Sequence, residues 1–137
     1  MKIAIPKERR AGEARVAATP ETVKKLIALG AEVAVEAGAG LGAAITDEAF
    51  RGAGATIVAD PGALLSSADV ILKVQRPMSA AEGADELAQA KPGALLIGVL
   101  AAFSNKDQVA DYARRNLTAF SMELMPRITR AQAMDVL

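Results

Sequence analysis

Ala94-Leu95-Leu96-Ile97-Gly98-Val99-Leu100 has no polar side chain over its whole length. A strand with one wet face alternates apolar and polar residues. A short run that is apolar throughout reads as a strand buried on both faces. Working outward, Asp69 to Val74 is another strand, with Lys73 at its carboxyl end. Between the two, Ala80 to Ala90 reads as a weakly amphipathic helix. Downstream, Ser104 or Asn105 caps a helix running to Arg115, and Leu117 to Ser121 is the last strand.

The beginning of the chain continues this alternation. Lys2-Ile3-Ala4-Ile5-Pro6 is a short strand stopped by proline, and Lys7 to Val16 is a charged loop. Thr19-Pro20 starts a helix with proline at its first position, and Gly30 ends it. Ala31 to Ala37 is a strand, followed by the loop Gly38-Ala39-Gly40-Leu41-Gly42. Thr46-Asp47-Glu48 caps a short helix finished by Gly52 and Gly54. Ala55 to Ala59 is a strand, and Pro61 to Ser67 is a helical turn or two. Alternating strands and helices with apolar strands predict a three-layer α/β domain, Rossmann-like or flavodoxin-like. Its mostly parallel sheet is covered by helices on both faces. Ligands of such sheets lie beyond the carboxyl ends of the strands. Lys7–Arg15, Lys73–Arg76, Ala101–Asn105 and Met122–Arg130 all follow strands and are expected to gather on that rim.

The 137 residues suit one domain, a size that buries roughly two thirds of the chain surface. Apolar residues make up 52% but aromatics only 3%, so the core is built from Ala, Val, Ile and Leu. Sixteen basic residues balance sixteen acidic ones, which points away from nucleic acid and from an anionic lipid surface. There is no cysteine and no histidine. Disulfides and thiolate chemistry are excluded, and the commonest metal ligand and acid–base group are missing. No metal site is expected. The longest apolar run, Gly93 to Phe103, is too short to span a bilayer, and no signal peptide opens the chain.

Three stretches are candidates for chemistry. Gly38-x-Gly40-x-x-Ala43 follows a strand, and Asp60 lies about twenty residues on, as in a dinucleotide fingerprint. The next helix, however, starts at Thr46 and carries Asp47 and Glu48, which repel a phosphate; the stretch reads as a plain glycine loop. Arg15 and Lys73, if they share the rim, form a pocket for a carboxylate or phosphate. Against this, Arg15 has Glu8 and Glu13 as possible partners, and Lys73 reads equally as a solvated strand end.

The third is Met125-Pro126-Arg127-Ile128-Thr129-Arg130-Ala131-Gln132-Ala133-Met134-Asp135-Val136-Leu137. Thr129-x-x-Gln132 is a capping-box pattern, so a helix is expected to start at Thr129. Arg127 and Arg130 at a helix start oppose the macrodipole, which suggests a purpose other than stability. Gln132 and Asp135 share one side of that helix, and Ala131, Met134 and Leu137 form the adjacent apolar face.

Met1-Lys2-Ile3-Ala4-Ile5-Pro6-Lys7-Glu8, with Glu13-x-Arg15-Val16-Ala17 and Thr19-Pro20, resembles the N-terminal domain shared by alanine dehydrogenases and nicotinamide nucleotide transhydrogenases. Lys73-Val74-Gln75-Arg76-Pro77 resembles the lysine-bearing strand end of that family. Pro126-Arg127-Ile128-Thr129-Arg130-Ala131-Gln132, with Asp135, resembles the transhydrogenase branch. The resemblance covers essentially the whole chain.

That resemblance implies a portion of the NAD(H)-binding component of a proton-translocating transhydrogenase. Such an enzyme transfers hydride between NAD(H) and NADP(H) and couples this to proton movement. The nucleotide lies between two Rossmann-like domains, and the second, carrying the glycine fingerprint, is expected after residue 137. By this resemblance Arg127 orients the nicotinamide, Gln132 reaches toward NADP(H) on the partner component, and Asp135 shapes the loop and contacts the nucleotide. Arg15 and Lys73 match positions that bind substrate carboxylate in alanine dehydrogenases. The implied partners are the NADP(H)-binding and membrane components and a second copy of the subunit. The implied location is the cytoplasmic face of the inner membrane, with no insertion by this chain.

Alanine dehydrogenases carry a histidine where this chain has Val99. Oxidative deamination needs proton transfer, whereas direct hydride transfer between nicotinamides needs positioning and exclusion of water. The alternatives are an alanine dehydrogenase-like enzyme and a non-catalytic binding or dimerisation module. The isolated domain is expected to be inactive and to bind NADH weakly or not at all.

Overall fold

The computed structural model describes residues 1–136. Six strands form one sheet in the order β3-β2-β1-β4-β5-β6. They are β1 (Lys2–Ile5), β2 (Glu32–Glu36), β3 (Thr56–Val58), β4 (Val70–Gln75), β5 (Leu95–Val99) and β6 (Thr118–Ser121). Every pairing is parallel. This is the doubly wound Rossmann order, rather than the flavodoxin one, with its switch point between β1 and β4.

The helices form where the sequence signals lie. α1 (Pro20–Ala28) is capped by Thr19, whose hydroxyl accepts the Thr22 N–H. α2 (Asp47–Gly52) is capped by Thr46, and α3 (Pro61–Ser66) by Asp60. α4 (Lys106–Arg114) follows Asn105, whose side chain makes no cap bond. Strand residues divide by parity. Ile3, Ile5, Val33, Val35 and Val70 pack with Val23 of α1 and Phe50 of α2. Ala4, Ile71 and Leu96 pack on the other face with Leu64 and Leu65 of α3 and Tyr112 of α4. The right-handed crossover rule explains the division: moving from β1 to β3 places helices on one face, and returning to β4 and beyond places them on the other. No helix of the described residues is long and apolar enough to cross a membrane.

Two expectations fail locally. The stretch Ala80–Ala90 is not an α-helix. A 3₁₀ turn covers Ala80–Glu82, closed by a Ser79–Glu82 capping box, and Gly83 follows at φ 101°. Beyond it the Glu86 carboxylate bonds the Met78 N–H and the Lys73 ammonium, and Leu87 enters the core. These tertiary bonds draw the stretch back over β4, which weak helix amphipathicity does not resist. The second failure concerns residues 129–134, where the chain forms a 3₁₀ helix (Thr129–Met134), not an α-helix. Its cap is Ile128, in extended conformation, with no side-chain cap bond. The Thr129–Gln132 capping box is therefore not what starts this element.

The glycine loop after β2 is packing, not a phosphate cradle. A Cβ on Gly40 would lie 2.7 Å from the Ile45 carbonyl and the Phe50 ring, and one on Gly42 would lie 2.9 Å from the Ala14 carbonyl. The Gly38 N–H is taken by the Asp47 carboxylate at 2.9 Å. Phe50, the ring beneath this loop, is fully buried. Replacing it with alanine is expected to destabilise the domain by about 3–5 kcal/mol in chemical denaturation, whereas a loss under about 1 kcal/mol would mean that the loop collapses freely onto the vacated site.

Candidate functional site

The carboxyl rim is organised by charge at the switch point. Pairing of β1 with β4 runs only through Ile3↔Val70 and Ala4↔Ile71, after which the strands part. On its other side β4 carries an irregularity: the register with β5 jumps from Leu72↔Ile97 to Gln75↔Val99. Lys73 and Val74 thus face Gly98 alone, a bulge that leaves backbone donors without ladder partners. Glu8 fills the gap. Its carboxylate accepts the Val74 N–H at 3.1 Å and the Gln75 N–H at 2.9 Å. Gly98 permits the close approach, since a Cβ there would lie 2.8 Å from the Lys73 carbonyl.

Lys73 is not a solvated strand end. Its Nζ lies 3.2 Å from Glu8 and 2.8 Å from Glu86, and the three side chains are at most 5% exposed. Beside it, Arg9 pairs with buried Glu36, which also accepts the Lys7 N–H. A cavity of about 220 Å³ opens here, lined by Pro6, Arg9, Leu65, Ile71, Lys73 and Glu86 among others. Arg15 is elsewhere. It lines a separate cleft with Gly38 and Gly42, and its guanidinium forks onto Glu13 with both bonds at 2.8 Å. The structure does not bring Arg15 and Lys73 into one pocket. Each already has carboxylate partners, so an incoming anion would have to displace one.

A second network joins the loops after β1 and β4 to α4. Arg10 bonds the Arg76 carbonyl at 2.8 Å and pairs with Glu82 at 2.7 Å, while Arg76 reaches Glu82 and Gln108. Arg10 first and then Arg76 hold the Glu82 carboxyl well below the usual carboxylate range. Beneath them, burial pushes the Tyr112 hydroxyl up to about 12.

The remainder of the rim is the C-terminal segment. β6 ends in a 3₁₀ turn (Met122–Leu124), and the chain then runs extended through Met125. Arg127 Nε lies 3.5 Å from Asp135 Oδ2, with the arginine 65% exposed, so the segment closes on itself. Ala131 is buried, while Arg130 and Gln132 are exposed. Met134 is half exposed, and Leu137, expected on the same apolar side, lies outside the described residues. Arg127, Gln132 and Asp135 thus belong to one compact exposed segment at the rim. Sequence reasoning misses Glu123, Glu86 and Glu36. Glu123 accepts the N–H groups of Leu100 and Ala102 at 3.3 and 3.1 Å. A lone glutamate one turn before a proline carries no signal of such a role; a buried one is recognised only by its partners.

Two outcomes follow from these charges. Lys73→Met leaves Glu8 and Glu86 buried without their cation, and about 3–5 kcal/mol of stability to denaturant should be lost; a neutral effect would contradict the buried ion triad. Glu13 is held down to about 2, first by the Arg15 side chain and then by Gln75. Because its folded value is depressed, its contribution is present above the ordinary carboxylate range and fades as pH falls from that range toward 2. Carboxyl NMR titration of Arg15→Ala should return Glu13 toward ordinary behaviour, and an unmoved titration would remove Arg15 as the cause.

Comparison with known proteins agrees with this geometry. Residues 4–137 match the family model described as alanine dehydrogenase/PNT, N-terminal domain. The chain is 60% identical over its full length to a polypeptide of NAD(P) transhydrogenase subunit alpha from Rhodospirillum rubrum, covering 36% of that protein. Its fold matches the crystal structure of transhydrogenase from Sinorhizobium meliloti with TM-score 0.92 at 45% identity, over the whole chain and 39% of that structure. An L-alanine dehydrogenase structure matches with TM-score 0.82 at 30% identity, over 90% of this chain and 32% of that one. The chain therefore spans between a quarter and little more than a third of the length of the curated relatives it matches. With a family model over nearly its whole length and a relative 60% identical throughout, the chain belongs to the alanine dehydrogenase/PNT N-terminal domain family.

Proposed function

We propose that this domain is the first domain of the NAD(H)-binding component of a proton-translocating nicotinamide nucleotide transhydrogenase. It would present Arg127, Gln132 and Asp135 to the nicotinamide end of NAD(H), which a second, dinucleotide-binding domain holds. The observation that carries the reading is the 60% identity over the whole chain to a transhydrogenase alpha subunit. The alanine dehydrogenase matches are weaker, at 42% identity over 73% of the chain and 33% over 96% of it.

The chemistry of the rim supports the same choice. Alanine oxidation needs a group that moves a proton. Here there is no histidine, Lys73 is enclosed by two carboxylates, and the last residue of β5 is Val99. Hydride passing directly between two nicotinamide rings needs no such group from the protein. It needs the rings held face to face and water kept away. Arg127 supplies planar donors that suit the carboxamide or a neighbouring phosphate oxygen, and Asp135, 3.5 Å away, restricts where those donors point. Gln132 is exposed in the same segment, and in this reading it meets NADP(H) on a partner component. The cofactors are thus NAD(H) on this subunit and NADP(H) on its partner. A membrane component completes the enzyme, with the subunit acting as a homodimer on the cytoplasmic face of the inner membrane.

In the complete subunit mixed with its NADP(H)-binding component, Arg127→Ala should slow hydride transfer by roughly 100-fold. A rate within about twofold of wild type, on the same scale of effect, would remove the segment from the active site. L-Alanine with NAD⁺ should yield no NADH; a steady yield would favour the dehydrogenase branch.

A further inference from the structure

We infer that Glu123 is a positioning residue, whose carboxylate fixes the direction in which the Pro126–Asp135 segment leaves the sheet. The anchoring rests on geometry alone. Its consequence for hydride transfer rests on the transhydrogenase reading.

Packing does little to hold this segment. β6 is an edge strand, bonded only to β5, and Thr118, Ala119 and Phe120 are all exposed. Among described residues 122–136, Ala131 alone is buried. Glu123 supplies what packing does not. One carboxylate accepts the Leu100 N–H, the Ala102 N–H and the Ser121 hydroxyl. It therefore ties together the end of β5, the turn that follows it, the end of β6 and the root of the segment.

The two N–H groups flank Ala101, which sits at φ 48°, a left-handed conformation unusual for alanine. The Ala101 carbonyl is tied separately by the Asn105 side chain at 2.9 Å. With Ala101 in this conformation, Leu100 and Ala102 both direct their donors at the carboxylate, a small backbone concavity suited to an anion. Burial works against the charge of Glu123, and the bonds from Ser121, Ala102 and Leu100 outweigh it, so its carboxyl is held below the usual range. From Glu123 to Arg127 there are only an extended Met125 and a proline of fixed φ beyond the turn. A tilt at the root is carried to the Arg127 backbone with few joints to absorb it.

The test compares Glu123→Ala and Glu123→Gln with wild type; the glutamine variant is isosteric and keeps the measurement possible if alanine does not fold. In this chain, amide exchange at Leu100 and Ala102 should quicken by roughly tenfold or more as local opening becomes easier. Trypsin cleavage after Arg127 and Arg130 should rise by a similar factor, about tenfold. In the complete subunit, the NADH dissociation constant should stay within about twofold while hydride transfer falls by roughly tenfold or more, because misplacement acts on geometry and not on nucleotide binding. Unchanged exchange and cleavage would overturn the anchor. Faster exchange with undiminished hydride transfer, in a background where Arg127→Ala is slow, would overturn the positioning role. Should Arg127→Ala also be undiminished, the transhydrogenase reading is what fails, and the anchor stands on exchange and cleavage.

Discussion

The parting of β1 from β4 beyond Ala4↔Ile71 is the constraint on which the rim depends. A doubly wound sheet must open at its switch point, because the chain leaves β1 toward one side and β4 toward the other. An opening of that kind exposes backbone donors inside a protein, and buried donors without partners are costly. Glu8 resolves this by placing a carboxylate against Val74 and Gln75. That carboxylate then needs a cation, which is Lys73, and Lys73 in turn gathers Glu86 and draws the 84–89 stretch over β4. The bulge in β4 and the bare Cα of Gly98 belong to the same solution.

A similar device recurs at β5. There too the backbone past a strand end offers two N–H groups, from Leu100 and Ala102, and a glutamate from another loop accepts both. Carboxylates at the rim thus act mainly as acceptors for strand ends, and most cations there act as their partners. Arg127 departs from this pattern in its contact: its pair with Asp135, at 3.5 Å, is longer than the 2.8 Å bonds that hold the equally exposed Arg15 on Glu13. A domain that commits most of its rim charges to ion pairs and leaves this arginine forward suits a role in orienting a ligand held by another body. It does not suit proton transfer from its own groups.

Much of this fold is legible in the residues themselves. All six strands and the four α-helices lie near where apolar runs, Thr-Pro, Thr-Asp-Glu, Pro61, Ser104-Asn105 and glycine stops place them, although Asn105 makes no side-chain cap bond. The acidic residues at the helix after the glycine loop are enough to separate that loop from a phosphate site. Failures occur where tertiary bonds override local signals. Ala80–Ala90 has helix-forming residues, yet Glu86 is claimed by Lys73, thirteen positions away. Thr129 and Gln132 have capping-box spacing, yet the element is capped by Ile128 and forms a 3₁₀ helix. Arg15 and Lys73 both follow strands, but one faces Glu13 outside and the other faces Glu8 and Glu86 inside. Inside and outside are not encoded in spacing. Nor are the partners of Glu123 encoded there, which lie just past β5 and at the end of β6.

The central claim is that this domain delivers the Arg127–Asp135 segment to a nicotinamide whose phosphates are held elsewhere. The most direct measurement is a crystal structure of the complete subunit with NADH bound. The nicotinamide ring is expected within hydrogen-bond reach of Arg127 and beside Gln132, and the pyrophosphate on a glycine turn of another domain. A pyrophosphate seated on the Gly38–Ala43 loop, or a nicotinamide remote from Arg127, would contradict it.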